Sequence, residues 1–201
     1  MIKRKTVFIF HGRGGKRSSS WLSWLAKELK KSGYKVIYPS FPKPTEANYQ
    51  SWQSEFQKYE NNIDKNSIFI GHSLGCVFIL RFLNKFPSKI NKIIFVAPPL
   101  PYNFSKEKII FLLERLNSRE IKNIESFLCE KYDWEKFKKN FQKIKLYFSD
   151  NDYHIPLDNS KYYENVFGKN NVILKKNKGH FNEKNNVFTF PEVLKEIISQ
   201  D

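Results

Sequence analysis

Six short apolar runs alternate with helical patterns along this chain. Together they predict an α/β fold, a three-layer α/β/α sandwich with a mostly parallel six-stranded sheet. Strands joined through helices pair in parallel with right-handed crossovers, so helices should cover both faces of the sheet. No internal repeat or low-complexity linker interrupts the alternation. The six runs are Thr6–Phe10, Tyr34–Tyr38, Ser67–Ile70, Lys92–Ala97, Ile144–Phe148 and Asn171–Leu174.

The composition favours one folded domain over residues 1–201. Forty per cent of the residues are hydrophobic and 16% aromatic, which is enough apolar surface to build a core in a chain of 201 residues. Cys76 and Cys129 lack the spacing of a zinc site or a disulfide framework. No run approaches the roughly 18 apolar residues that span a membrane. The apolar run Val7–Phe10 is too short for a signal peptide, so we expect a cytoplasmic protein.

The net charge of +15 raises the question of nucleic-acid binding. The lysines are spread over every segment and mixed with Asn, Glu and Ser on predicted outer helix faces, which is typical of a solvated surface. Nucleic-acid binding would instead need a basic patch on one face and an affinity that falls steeply with salt. We therefore disfavour nucleic acid as a partner and keep open a basic cleft that attracts an anionic small molecule.

The segment G-H-S-L-G at residues 71–75 stands between a predicted buried strand and a buried helix. This context is that of a nucleophile elbow, in which Ser73 would occupy the apex of a tight turn with its hydroxyl clear of the sheet. Glycines two positions before and after it avoid a Cβ where the turn is crowded. The turn also leaves the Leu74 N–H at a helix N-terminus, where it can bind a developing oxyanion.

The first strand ends in a glycine-rich loop, His11–Gly15. Its spacing matches neither of the common phosphate-binding patterns. Beside an elbow, such a loop is better interpreted as the second oxyanion donor, because glycines let the main chain approach the serine. We expect the Arg13 N–H to be that donor, with Gly14 as the alternative. The Arg13 side chain is either solvated or in contact with an anionic substrate.

A serine nucleophile needs a base and a carboxylate that orients the base. The chain order Ser…Asp…His, expected of an elbow on an α/β sheet, favours His180, which follows the sixth strand. Of the other histidines, His11 belongs to the glycine loop and His72 should point away at the turn. His154 is expected to pack or to lie on the rim.

Two aspartates at the end of the fifth strand compete for the role of the acid. Asp152 is preferred because it stands three residues before Ile155-Pro156, a D-x-x-hydrophobic-Pro pattern. Asp150 would then cap or support the turn, and Asp158 is a remote third candidate. These groups all follow the carboxyl ends of parallel strands, where open α/β sheets bind ligands.

The segment 104–140 is expected to be a helical excursion. Apolar residues recur in it at helical spacing. Part of it should pack beside the sheet, and part could form a small lid over the site. It is too short for a full cap domain.

These motifs together resemble an α/β-hydrolase, and specifically the small serine hydrolases of the retinoblastoma-binding protein 9 type. The resemblance implies a compact α/β-hydrolase fold, a triad of Ser73, Asp152 and His180, and hydrolysis of small esters or amides. One departure is Asn151-Asp152-Tyr153, where that family often has Asp-Asp-Pro. The similarity runs almost end to end and includes H-G-x-G-G at 11–15, Trp21, Trp24, the Pro-rich loop after strand two, Trp52, G-H-S-L-G, Trp134, the acid loop and G-H-F at 179–181.

The sequence thus predicts a serine hydrolase that cleaves carboxylic esters or related small acyl substrates through an acyl-enzyme. Thioester and peptide hydrolysis use the same machinery and remain alternatives. Neither a metal nor an organic cofactor is expected. The rival interpretation is a catalytically weak binding or interaction module on the same scaffold, against which the intact set of Ser, Asp, His and glycine turns argues.

Overall fold

A computed structural model of the chain describes residues 4–15, 20–85, 89–101, 116–128 and 132–199. Within these ranges six strands form one sheet in the order β2-β1-β3-β4-β5-β6, with every neighbouring pair parallel. This confirms the predicted α/β class. The strands are β1 Thr6–Phe10, β2 Lys35–Ile37, β3 Ile68–His72, β4 Ile90–Val96, β5 Phe141–Ser149 and β6 Val172–Lys175.

The helices alternate with these strands along the chain. None of those in the described ranges is both long enough and apolar enough to cross a bilayer. Short 3-10 turns occur at Pro44–Glu46, Glu60–Asn62, Lys169–Asn171 and Glu183–Asn185. The helices are α1 Ser20–Lys31, α2 Tyr49–Gln57, α3 Leu74–Lys85, α4 Ser118–Glu125, α5 Trp134–Lys138, α6 Asp158–Phe167 and α7 Pro191–Ile198.

The strand order brings the first two candidate loops together. The chain starts in the sheet interior with β1, moves outward to β2, and returns to the other side of β1 as β3. Phe10 is paired with Gly71, so β1 and β3 end side by side. The glycine loop and the elbow therefore leave the sheet at the same edge, next to the point where the strand order reverses.

The central strands are apolar throughout because the sheet is covered on both faces. Every residue of β1 is buried, and aromatic side chains fill the layer between the sheet and α2. The Phe8 and Phe69 ring centroids are 4.8 Å apart, and those of Phe10 and Phe56 are 5.0 Å apart. Removal of one such ring typically costs about 3–5 kcal/mol, so this layer fixes the strands that carry the site.

Part of the excursion packs beside the sheet, as predicted. Phe127 and Phe137 are fully buried in the core, whereas α4 buries none of its residues. Residues 104–115 and 129–131, including Cys129, lie outside the described residues. A lid over the site therefore stays a prediction.

Candidate active site

Ser73 occupies the apex of the turn between β3 and α3. Its φ of 53° lies in the left-handed region, a conformation that costs a non-glycine residue roughly 1–3 kcal/mol. The Ser73 N–H donates to the Val96 carbonyl at 2.9 Å, which ties the turn to β4. A Cβ on Gly71 would lie 2.8 Å from the Cys76 nitrogen, and one on Gly75 would lie 2.4 Å from the Phe10 carbonyl oxygen. The predicted crowding of this turn is confirmed.

The glycine loop after β1 lies directly against the serine. A Cβ on Gly12 would lie 2.8 Å from the Ser73 Cβ and 3.4 Å from its Oγ. Any side chain at this position would therefore collide with the Ser73 Cβ. The sequence marked the whole loop as glycine-rich, and the structure identifies Gly12 as the residue of closest approach.

Two backbone N–H groups near the serine are candidates for an oxyanion hole. The Gly14 N–H already donates to the Pro44 carbonyl at 2.8 Å, and the Gly15 N–H donates to Gly12 at 3.1 Å. Among the residues that the structure describes, no acceptor is recorded for the N–H of Arg13 or for that of Leu74, which opens α3. The contacts therefore favour Arg13 over Gly14.

The Arg13 guanidinium forms an ion pair with the Glu120 carboxylate of α4. The two side chains are 32% and 22% exposed. The side chain is therefore not simply solvated, since it links the glycine loop to the excursion, 107 residues further along the chain. Contact of Arg13 with an anionic substrate stays a prediction.

His180 and Asp152 are in direct contact. The His180 Nδ1 lies 2.9 Å from Asp152 Oδ2 and 3.1 Å from Oδ1, and the two side chains are only 10% and 2% exposed. Asp152 Oδ1 also accepts the N–H groups of His154 and Ile155, at 2.8 and 3.1 Å. A carboxylate with these partners holds its orientation and directs the Nδ1–H of the imidazole, which leaves Nε2 as the free base.

Asp150 has a different role in the structure. Ser149, Asp150 and Asn151, at the end of β5, each accept one N–H group from the three residues that precede His180. Positive φ angles at Asn177 and Gly179, 56° and 49°, shape this turn, and successive N–H groups in such turns form a concavity for acceptors. The bonds run from Asn177 N–H to Asp150 Oδ1 (2.8 Å), Lys178 N–H to Ser149 Oγ (2.9 Å) and Gly179 N–H to Asn151 Oδ1 (2.8 Å).

His72, which was expected to point away at the turn, contacts the loop that carries His180. Its Nε2–H donates to the His180 carbonyl at 2.9 Å, and the two ring centroids are 5.0 Å apart. Burial, and then the nearby charge of His180, lower the pKa of His72 to about 3. His72 is therefore neutral near pH 7. Sequence reasoning missed this contact because the loop that carries His180, residues 177–181 (the base loop), comes from the other end of the chain.

The remaining two histidines lie on opposite sides of the site. The His154 ring is partly exposed and meets the His180 ring edge to face, with centroids 4.7 Å apart, which fits the expected rim position. His11 is buried and its Nδ1–H donates to the Gly12 carbonyl at 2.8 Å. Burial lowers the pKa of His11, so it also stays neutral near pH 7.

Comparisons with solved structures identify the fold. The crystal structure of the ydeN gene product from Bacillus subtilis superposes with a TM-score of 0.80 at 23% identity, covering 98% of this chain and 100% of that one. A carboxylesterase structure from the thaumarchaeon Nitrososphaera gargenis gives a TM-score of 0.69 at 12% identity, covering 89% and 84%. At these identities the likeness establishes the α/β-hydrolase fold alone.

Comparisons of sequence identify the family. The curated YdeN protein of Bacillus subtilis (strain 168) is 33% identical over 79 residues, which is 39% of this chain and 42% of YdeN, so less than half of that relative is matched. A family model described as serine hydrolase matches residues 7–199. With the strained serine turn and the His180–Asp152 contact at one edge of the sheet, this match shows that the chain belongs to the serine hydrolase family.

Proposed function

We propose that this serine hydrolase cleaves carboxylic esters of small acyl substrates through an acyl-enzyme, with Ser73, His180 and Asp152 as its triad. The observation that carries the proposal is the 2.9 Å contact between His180 Nδ1 and Asp152. It fixes the tautomer that leaves Nε2 as a proton acceptor. The strained turn at Ser73 supports the proposal, because it is the conformation expected of an exposed nucleophile.

In the first half of the reaction, Ser73 Oγ bonds to the substrate carbonyl carbon while its proton passes to His180 Nε2. Negative charge develops on the carbonyl oxygen, where the N–H groups of Leu74 and Arg13 stabilise it. The tetrahedral intermediate collapses, the bond to the alcohol breaks, and His180 returns the proton to the leaving oxygen. Asp152 stays ionised and stabilises the imidazolium formed on the way.

In the second half, His180 Nε2 takes a proton from water as the water oxygen attacks the acyl carbon. The second tetrahedral intermediate expels Ser73, which regains its proton from His180. Carboxylic acid and free enzyme are released. None of these steps calls on a chemical group beyond the chain's own residues, the substrate and water.

The ester class is supported by the similarity to a carboxylesterase structure. Thioesters and peptides are cleaved through the same kind of intermediate and differ from esters in the group that leaves. The finer resemblance to the retinoblastoma-binding protein 9 type, a single domain over residues 1–201, and a cytoplasmic location stay predictions from the sequence.

Intact-mass analysis after treatment with a fluorophosphonate tests the nucleophile. We expect one adduct on the wild type, none on Ser73→Ala, and strongly slowed labelling of His180→Ala. Ser54→Ala, an exposed serine of α2, is the matched control and should be labelled like the wild type. An adduct on Ser73→Ala would contradict the assignment. No adduct on a folded wild type would favour the binding module instead.

The substrate class is tested by steady-state turnover of matched acetyl compounds. The same acyl group is offered as an aryl ester, a thioester and an anilide to the wild type and to Ser73→Ala. We expect the ester to give the highest kcat/KM and Ser73→Ala to abolish turnover of all three. A higher kcat/KM for the thioester or the anilide would replace the ester assignment while leaving the nucleophile in place.

A further inference from the structure

No catalytic step described above uses His72, although its side chain touches the candidate base. It is the last residue of β3, immediately before Ser73. Its Nε2–H donates to the His180 carbonyl, and its ring and that of Trp21 pack nearly at right angles, with centroids 6.0 Å apart. The Trp21 Nε1–H donates to the next carbonyl of the same loop, that of Phe181, at 2.9 Å. Two side chains thus hold two consecutive carbonyls of the base loop.

The backbone of His180 is anchored on both sides of its Cα. Its N–H donates to Asn185 Oδ1 at 3.0 Å, and its carbonyl accepts the His72 Nε2–H at 2.9 Å. The residues before and after it, Gly179 and Phe181, have φ angles of 49° and 48°. These two bonds hold the His180 backbone itself, and they act together with the bonds from residues 149–152 to fix where the imidazole stands.

We propose that His72 is a positioning residue that fixes the base relative to the nucleophile. His72 ends β3 and Ser73 follows it at once in the turn, so the bond from His72 to the His180 carbonyl ties the loop that carries the base to the residue next to the serine. The inference rests on the proposed function, since positioning matters only if His180 takes the Ser73 proton.

The chemistry of an imidazole suits this task. The bond needs a donor next to a group that becomes positively charged during the reaction. A lysine or arginine would place a permanent cation beside His180 and oppose its protonation. His72 donates as a neutral ring, consistent with the direction of its pKa.

Two substitutions separate the bond from the packing. His72→Gln keeps an N–H donor at nearly the same reach, whereas His72→Leu fills a similar volume without a donor. We expect His72→Leu to lower kcat by up to about 100-fold, the loss that a misplacement of about 1 Å causes, with little change in KM. His72→Gln should restore most of the activity. Trp21→Phe, which removes the neighbouring donor and keeps an aromatic ring, is the matched control and should lose less.

Thermal unfolding of each variant accompanies the kinetics. His72→Asn, whose amide is one bond shorter and cannot reach the carbonyl, replaces His72→Leu if the latter does not fold. Wild-type kcat in a folded His72→Leu would overturn the proposal. Equal losses in folded His72→Gln and His72→Leu would also overturn it, because the hydrogen bond would then not be the cause.

Proton NMR with 15N-labelled histidine gives a readout that does not depend on turnover. The Nδ1–H of His180, bonded to Asp152, should give a narrow low-field resonance in the wild type and His72→Gln, and a broadened one in His72→Leu. A wild type that does not react with the fluorophosphonate would overturn the proposed function, while the resonance still reports whether His72 fixes the ring. A reactive wild type with an unchanged resonance in His72→Leu would overturn the positioning role alone.

Discussion

The two sides of the candidate site are held by different kinds of contact. On the side of His180, the candidate base, hydrogen bonds join residues 149–152 to residues 177–180, and the His180 and Asp152 side chains are only 10% and 2% exposed. On the oxyanion side, the Arg13–Glu120 ion pair links the glycine loop to α4, and α4 is joined to Glu46 by Arg119 at 3.4 Å. Both of these ion pairs are partly open to solvent.

This difference has energetic consequences. A buried polar group that loses its partner costs about 1–3 kcal/mol. An exposed ion pair contributes about 0–1 kcal/mol and is screened by salt. We therefore expect the position of His180 to be fixed by the fold, and the position of the glycine loop to respond to ionic strength and to the excursion. The following experiments separate the two sides, beginning with the largest expected effect.

Replacement of the candidate acid, Asp152, should cause the largest loss of kcat. Asp152→Asn keeps the shape of the base side but no longer directs the Nδ1–H of His180, and we expect kcat to fall about 10⁴-fold, the scale known for loss of a triad carboxylate. Asp150→Asn retains an oxygen acceptor for the Asn177 N–H and is the matched control, with a small effect on kcat. The reverse order of the two effects in steady-state kinetics would transfer the role of the acid to Asp150.

Loss of the Asn151 side chain, which supports the base loop, should have the second-largest effect. Asn151 Oδ1 accepts both the Gly179 N–H and the Ser149 hydroxyl, at 2.8 and 2.9 Å. Asn151→Ala leaves both donors without this acceptor, so the free energy of unfolding should fall by about 1–3 kcal/mol, and kcat should fall with it. Urea denaturation and turnover are measured together. Asn151→Asp keeps the acceptor, and a loss as large as that of Asn151→Ala would contradict this account.

Acid should destabilise the base side through His72. Its pKa falls from 6.5 to about 3 in the folded chain, so between these values the unfolded chain binds more protons. Stability is then lost as the pH falls through that window, by about 1.4 kcal/mol per unit. Urea denaturation at pH 7 and pH 5 should show a shallower loss for His72→Gln than for the wild type. The pKa of His11 is also lowered, but His11 is present in both the wild type and His72→Gln, so it does not cause a difference between them. Equal losses in the two would contradict the prediction.

The smallest effect is expected on the oxyanion side. Glu120→Gln removes the charge that pairs with Arg13 but keeps an oxygen for the Asn117 N–H of the helix cap. The transition-state stabilisation lost should be at most about 1 kcal/mol. Wild-type kcat/KM should fall as salt is added, and Glu120→Gln should be nearly insensitive to salt. Arg119→Ala breaks the more exposed pair and serves as the control. A salt response in Glu120→Gln equal to that of the wild type would show that the Arg13 pair is not its source.

Much of the sheet and of the serine turn was accessible from the sequence because both are encoded locally. Apolar runs and helical spacing predicted every strand to within three residues at each end. The largest shift is at β5, which begins at Phe141 rather than Ile144. Its first residues are largely exposed and polar, and they extend the strand because Phe141 and Lys143 pair with β4. Local apolarity carries no signal for such an extension.

The supports of the site were not accessible in this way. The His72–His180 contact spans 108 residues, and the Arg13–Glu120 pair spans 107. The pattern of β3 does not reveal that the loop carrying His180 packs against His72. The bonds between residues 149–151 and 177–179 depend on the backbone angles of a loop, which residue patterns leave undetermined.

The 108-residue separation between His72 and His180 also means that the two parts of the candidate site are synthesised at different times. The ribosome makes a chain from its N-terminus, so the strand and turn that carry Ser73 emerge long before the base that would activate it. A nascent chain that stops short of residue 180 has Ser73 but lacks His180, the proposed acceptor of its proton. Reactivity toward a fluorophosphonate should therefore appear late in translation, so labelling by this probe reports when the fold is complete.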